Sequence, residues 1–303
     1  MRARFSGHQT FPLRYGWLFK GVNYINDGGI LSTKNQDLAE RAITSLGIGT
    51  NMVSAMNYWV DKAGFIVSTP KQQDTISDLG KLIFESSGGL DPFMEDIGTI
   101  WLMHFLLNFN DEEMTAYRYF FNYGNFNYFD AKQFVKSTWE DLNTKITIGA
   151  MPKQSTVNGD AKVLFLTYAE KRISKLTDDS FSSPLINLGL LTDAGGGFYQ
   201  TNIGEKPSLP MLIFFYTLVR YIKYFNKDSG TATINFEDVL HNAMSPGRIF
   251  KLDEQSLGRM LDTLIVERSD TDIKYIDSMG LKQISVDPSF LNNPEQLLRE
   301  YYV

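Results

Sequence analysis

Side chains that could carry out covalent or metal chemistry are scarce in this chain of 303 residues. It has no cysteine, which excludes disulfides, thiolate nucleophiles, zinc fingers and iron–sulfur ligation by its own residues. Its three histidines, His8, His104 and His241, are too far apart for a local histidine cluster to hold a metal. Gly47-x-Gly49-x-x-Met52 has two glycines of a dinucleotide-binding turn, but no strand precedes it and methionine takes the third place. The spacing from Gly197 to Gly204-Glu205-Lys206 does not make a phosphate-binding loop, and neither a nucleophile elbow nor an H-E-x-x-H helix is present. Asp111-Glu112-Glu113 reads as the acidic start of a helix. These patterns imply no enzyme, no cofactor and no metal.

What remains is chemistry suited to a polyanion. Within residues 1–24 there are four basic residues, Arg2, Arg4, Arg14 and Lys20, and no acidic one. His8 lies among them in F-S-G-H-Q-T-F-P, with Ser6 and Thr10 beside it. It has two readings, a packed, hydrogen-bonded histidine that pins the arm, and a proton-transfer group or phosphate contact. Ser245-Pro246-Gly247-Arg248 is likewise a turn or a phosphate clamp, and Arg248, Lys251 and Arg259 put three cations near one helix.

Charge is spread unevenly around this feature. Residues 1–75 carry a net +3, 76–130 a net −7, 131–185 a net +2 and 186–303 a net −4, for −6 in all. The overall acidity argues against attraction of the whole surface to nucleic acid and leaves local patches open. Composition, with 43% hydrophobic and 21% charged residues, is that of a folded protein and excludes a largely disordered or fibrous chain. The N-terminus lacks the apolar core of a signal peptide, and the apolar run from Leu209 ends at Val219, too short for a membrane span. A soluble, cytoplasmic protein is expected.

The elements that must position these residues follow from periodicity. Leu38, Ala39, Ala42, Ile43 and Leu46 have helical spacing, Gly47-Ile48-Gly49 breaks it, and Thr50 or Asn51 can cap a second helix to about Ala63. Phe65-Ile66-Val67 is a short strand before Pro70. Helix, glycine turn, helix and strand is a winged helix-turn-helix pattern, whose second helix would turn Thr50, Asn51, Ser54, Asn57, Asp61 and Lys62 outward. Near the C-terminus, a strand-then-helix at 234–240, a helix from Glu254 capped by Asp253, and a hairpin of 273–276 and 281–286 around Ser278-Met279-Gly280 repeat the theme. A weaker third candidate has helices from Phe129 to Leu142 and from Ser155 to Ile173. Its hairpin is read as Leu185–Leu191 with Phe198–Thr201.

Helices at 78–85 and 95–109, and one over 209–224, read as buried scaffold. The aromatic block at 117–129 reads as core. The expected fold class is mainly α with small β-hairpins (α+β), as tandem winged helix-turn-helix-like modules around a helical scaffold. The segments are 1–75, the basic arm and first module; 76–128, an acidic and aromatic scaffold; 129–205, the second module; and 206–303, a central helix with the last module.

Several segments resemble one prokaryotic family, domain of unknown function 4007: F-S-G-H-Q-T-F-P-L-R-Y-G-W-L-F-K (5–20), L-G-I-G-T-N-M-V-S-A-M-N-Y-W (46–59), D-P-F-M-E-D-I-G-T-I-W-L-M-H (91–104) and S-P-G-R-I-F-K-L-D-E (245–254). The closing G-L-K-Q-I and L-L-R-E-Y-Y extend the resemblance over nearly the whole chain. It implies a genomic setting beside phosphoadenosine-phosphosulfate-reductase-like enzymes and DNA sulfur-modification or phage-defence genes, and it brings no catalytic residues with it. The expected function is a non-catalytic DNA-binding accessory protein of such a system. Arg2, Arg4, His8, Arg14, Lys20, Thr50, Asn51, Ser54, Asn57, Lys62, Arg248, Lys251 and Arg259 are the expected DNA-binding residues. The expected partners are DNA, plain or phosphorothioated, and a reductase-like or other defence-system protein. The alternative is a protein–protein adaptor that holds a sulfur-transfer or nuclease partner without touching DNA.

Overall fold

The structure, a computed structural model, describes residues 1–67, 74–171, 182–268, 271–278 and 280–303. Three expected features, Pro70 as a strand terminator, Ile173 as a helix end and Met279 in the hairpin turn, lie outside the described residues. The fold is mixed α+β, with helices predominating over small sheets. The chain forms two units, Met1–Tyr119 with Phe126–Thr201, and Phe120–Asn125 with Asn202–Val303.

The first unit opens with β1 (Arg2–Ala3), followed by α1 (Trp17–Asn26), α2 (Gln36–Leu46) and α3 (Thr50–Lys62). Asn35 caps α2, its Oδ1 accepting the Asp37 N–H at 2.8 Å, and Gly47 ends it with φ 66° in the left-handed region. The N-cap of α3 is Gly49, not Thr50 or Asn51, so that helix has no side-chain cap. A β-carbon on Gly21 of α1 would sit 2.7 Å from Val60 Cγ2, so glycine is what lets α1 close on α3. β2 (Ile66–Val67) and β3 (Thr75–Ile76) pair antiparallel. α4 (Asp78–Phe84) and α5 (Ile97–Asn108) follow, and α5 is buried over nearly its whole circumference, as its apolar sequence requires.

Asp111–Glu113 do not start a helix. Asn110 Oδ1 accepts the N–H groups of Glu112 and Glu113, and the chain enters β4 (Glu113–Met114), which pairs in parallel with β1. α6 (Ala116–Asn122) comes next, then β5 (Tyr128–Asp130), α7 (Ala131–Lys145), α8 (Gln154–Tyr168), β6 (Ala169–Lys171), β7 (Leu191–Gly195) and β8 (Phe198–Thr201). The last four strands form one sheet in the order β5-β8-β7-β6. The expected strand over Leu185–Leu191 is corrected. Pro184–Leu188 is a 3-10 turn because Pro184 favours a helical start, Ser183 Oγ accepts the Leu185 N–H, and Gly189 (φ 59°) ends it. The aromatic block does supply core: Tyr117, Tyr119, Phe120, Phe121 and Phe129 are buried. Exposed Tyr128 stacks instead on Phe198 across β5 and β8, with ring centroids 5.4 Å apart.

The second unit is organised on α9 (Met211–Phe225), buried from Ile213 to Val219. β9 (Thr233–Asn235), α10 (Phe236–His241), α11 (Pro246–Ile249), α12 (Glu254–Glu267), β10 (Ile273–Ser278) and β11 (Leu281–Val286) follow. Asp253 caps α12 as expected, accepting the Ser256 N–H at 2.8 Å, and Leu257, Leu261 and Leu264 face the core. The hairpin is in register from Ile273↔Val286 to Ser278↔Leu281, and β9 adds to it through β11. α13 (Pro288–Asn292) and α14 (Glu295–Tyr301) pack on α9. Among the described residues, no helix is long and apolar enough to cross a membrane.

Candidate nucleic-acid interface

The basic arm is held against α3 through its own backbone. Gly7 (φ 121°), Gln9 (φ 49°) and Thr10 (φ 65°) all have positive φ, and strain at the two non-glycine positions costs on the order of 1–3 kcal/mol each. The contacts that offset this strain are specific. A β-carbon on Gly7 would lie 2.7 Å from the Tyr58 ring, and Trp59 Nε1 donates to Phe11 O at 3.2 Å.

His8 is buried, its Nε2 2.5 Å from Asp160 Oδ1 and its ring edge-on to Tyr58. The Thr10 N–H donates to His8 Nδ1 at 3.1 Å, so that nitrogen is an acceptor and Nε2 carries the proton toward Asp160. Asp160 Oδ2 accepts the Ala116 N–H. His8 thus pins the arm to α6 and α8 instead of facing solvent as a phosphate contact would.

Lys62 is also corrected. It does not point outward: its ammonium is buried, 2.6 Å from Glu113 Oε2 and 2.5 Å from Asp61 Oδ2. Glu113 further collects Arg118 at 3.6 Å and Arg4 at 3.9 Å. Burial alone would raise the Glu113 carboxyl. The Lys62 hydrogen bond and charge, with Arg118 and Arg4, overcome that and hold it below the ordinary value. Arg4 itself stays exposed, as do Arg2 and Lys20. Arg14 is half-buried, its guanidinium 5.3 Å from the Phe11 ring centroid and 5.4 Å from that of Trp17.

On α3 the outer stripe is Thr50, Ser54, Asn57 and Asp61, spaced at four and three residues. Thr50 and Asn51 are exposed, Ser54 and Asn57 half-buried, and the Ser54 hydroxyl bonds Thr33 at 2.9 Å. The remaining faces are covered, with Val53, Ala55, Met56, Tyr58, Trp59 and Val60 all buried.

In the second unit the expected phosphate clamp is a helix cap. Lys251 Nζ is buried and donates to the carbonyls of Phe120 at 2.7 Å and Phe121 at 3.3 Å. Arg248 donates from Nε to Asn122 O at 3.1 Å and from Nη1 to Asn125 Oδ1 at 2.7 Å. Both side chains therefore satisfy backbone carbonyls at the C-terminal end of α6, which the helix itself leaves without partners. Burial, then the neighbouring Arg248 charge, pushes Lys251 well below the usual lysine range. Arg259 is exposed and pairs with Glu205 at 2.8 Å.

One surface went unread in the sequence. Lys153, Gln154, Ser155, Asn158 and Lys162 are all exposed at the start and along one side of α8. The four-residue spacing of Gln154, Asn158 and Lys162 was the available signal, and Asp160 falls on the opposite, buried side with Val157 and Leu164.

In comparisons with known proteins, no curated protein matches the chain. The crystal structure of SspB has a similar fold, with TM-score 0.82 at 21% identity over 99% of this chain and 89% of that one. A magnesium ion-bound SspB crystal structure gives TM-score 0.80 at 22% identity with the same coverage. At that identity the likeness is one of fold. Sequence itself decides membership: residues 5–302 match the model of the family described as protein of unknown function (DUF4007), and the chain belongs to that family.

Proposed function

We propose that the chain is a non-catalytic DNA-binding accessory protein of a prokaryotic DNA sulfur-modification or phage-defence system, built on winged-helix modules. One repeated arrangement carries this reading. In the first unit β5 runs into α7 and α8, then through β6, which pairs in parallel with β7, and the 3-10 turn into the β7–β8 hairpin. There β5 closes against β8 through Tyr128↔Gln200 to Asp130↔Phe198. In the second, β9 runs into α10, α11, α12 and the β10–β11 hairpin, and β9 closes against β11 through Asn235↔Gln283 to Thr233↔Ser285. In both, the leading strand pairs with the returning strand of the hairpin, a frame that can offer the helix before the hairpin to a groove. α2, α3 and the β2–β3 pair follow the same order without the leading strand. The defence setting comes from the family resemblance alone; what is shared with SspB is the fold.

A second reading, a protein–protein adaptor, has its own observation. The cleft between α12 and its hairpin is lined by Asp253, Glu254, Asp262 and Asp277 with one cation, Lys282, which pairs with Glu254 at 2.7 Å. This acidic excess repels phosphate and suits a basic segment of a reductase-like or other defence protein.

Fluorescence anisotropy with a labelled duplex, plain and phosphorothioated, at low and moderate salt separates the two. Salt-sensitive binding supports the DNA reading. No binding at low salt, together with a co-purifying partner protein, favours the adaptor. Because SspB has a magnesium-bound form, supercoiled plasmid incubated with the protein and magnesium completes the test. Plasmid that stays supercoiled is expected, and open circles would refute the non-catalytic part.

A further inference from the structure

We infer that the outward face of α8, with the glycine tip of the β7–β8 hairpin, is the surface that meets duplex DNA, and that neither α3 nor α12 plays this part. This inference rests on the DNA-binding reading above and assigns that role to residues outside the expected set.

Charge complementarity distinguishes the three helices. α8 presents Gln154, Ser155, Asn158, Lys162 and Leu166 to solvent, with exposed Lys153 at its N-cap. Among the described residues of that face there is no carboxylate. Asp160, the one acid in the helix, is 2% exposed and turned inward to His8 Nε2 and the Ala116 N–H. Glutamine and asparagine can bond adenine edges, while the two lysines contact phosphates. The first turn contains no acid and no side-chain cap, so the positive end of the helix dipole adds to the Lys153 charge.

The surroundings add further cations, set among acids that include exposed Glu170 just after α8. Arg2 is exposed and its backbone bridges to Ile148, in the connection that leads into α8, while its strand β1 pairs with β4 at Glu113, beside exposed Asp111 and Glu112. Exposed Lys132 and Lys136 lie on α7, which packs against α8, with Glu140 3.9 Å from Lys136. On the far side, the hairpin tip is Gly195-Gly196-Gly197, all exposed at φ 87°, 64° and 88°. A tip with no side chains brings backbone close to a sugar–phosphate strand. Asp193 shares the cleft beside it with Lys162, and its Oδ1 accepts the Gly195 N–H at 2.8 Å.

The other two helices differ. The stripe on α3 ends in Asp61 and has Ser54 engaged by Thr33. The exposed face of α12 carries Glu254, Asp262 and Glu267 against Arg259, which Glu205 already pairs.

The experiment compares wild type, Lys153→Glu/Lys162→Glu and a charge-matched control, Lys223→Glu/Lys227→Glu, on exposed positions of the second unit. Each is titrated into a labelled duplex over a salt series, after circular dichroism has verified folding. A milder pair, Lys153→Gln/Lys162→Gln, covers the case in which charge reversal unfolds α8. The α8 pair is expected to weaken binding at least about tenfold at low salt and to flatten the slope of log K against log salt by about 1.8, while the control keeps the wild-type slope. Equal weakening by both pairs, or binding by the α8 variants that matches wild type, overturns this assignment and leaves DNA binding standing. Failure of the wild type to bind at low salt removes the DNA reading itself and this surface with it.

Discussion

Glu113→Gln tests the buried ion cluster beneath the basic arm, and its cost can be worked from the geometry. The Lys62 and Arg118 side chains are 7% and 1% exposed, and both face the Glu113 carboxylate. Breaking a buried pair by removing one partner costs about 3–5 kcal/mol, because the other charge stays desolvated. Two features lower that figure here. Asp61 still holds Lys62 at 2.5 Å, and Arg118 Nε still donates to Leu107 O at 2.8 Å. The expected loss at pH 7 is therefore about 2–3 kcal/mol. The pH dependence gives an independent check. Although burial works to raise it, the Glu113 carboxyl lies below its ordinary value of 4.5 through Lys62, Arg118 and Arg4. Its contribution is thus fully present above that ordinary value and is lost as pH falls through the lower folded-state value. The assay is urea unfolding read by tryptophan fluorescence, since Trp17, Trp59, Trp101 and Trp139 all belong to the first unit. The gap between wild type and variant should narrow as the pH is lowered below 4.5. A variant within about 0.5 kcal/mol of wild type at pH 7, or a gap that widens in acid, would refute the reasoning.

Other perturbations separate structural cations from those that contact DNA. Lys251→Met leaves the carbonyls of Phe120 and Phe121 without their buried donor, so it should destabilise the second unit by about 2–4 kcal/mol while duplex affinity stays at wild type. Denaturation followed by circular dichroism, paired with anisotropy, checks both halves. Lys206 is buried with its ammonium on the Gly204 and Glu205 carbonyls, and burial, partly opposed by Asp253, lowers its pKa to about 8. Between that value and the ordinary 10.5 the unfolded lysine holds a proton that the folded one has released. Stability should therefore rise across that window by about 1–3 kcal/mol, and Lys206→Met should abolish the rise in a pH series of unfolding curves. Gly21→Ala forces a β-carbon within 2.7 Å of Val60 Cγ2 and should cost about 1–3 kcal/mol in the same tryptophan assay.

The elements legible in the sequence were those whose signal is local. Apolar spacing marked α2, α3, α9 and α12, Asp253 announced the α12 cap, and alternation marked the β10–β11 hairpin. β1 and β4 were missed because they are two residues each and owe their pairing to a partner remote in sequence. Pro184–Leu188 was misread because a short apolar run looks the same in a strand and in a turn. Ser183 and Pro184 before it, and Gly189 after it, were the deciding cues. For the site the limit is sharper. Sequence shows that Lys62, Arg248 and Lys251 are cations, but their occupation depends on Glu113, on Asn122 and on the Phe120 carbonyl, which tertiary folding delivers. Residues at the surface of α8 were open to the same four-residue arithmetic that exposed α12, and the inward turn of Asp160 followed from its place beside Val157 and Leu164.

Photocrosslinking tests the account most directly. A duplex with photoreactive bases would be irradiated with the intact protein at low salt and the crosslinked peptides mapped by mass spectrometry. The account places crosslinks on 153–162 and on the hairpin tip at 195–198. Crosslinks gathered on α12 would contradict the chosen surface, and none above a protein-only background would contradict DNA binding.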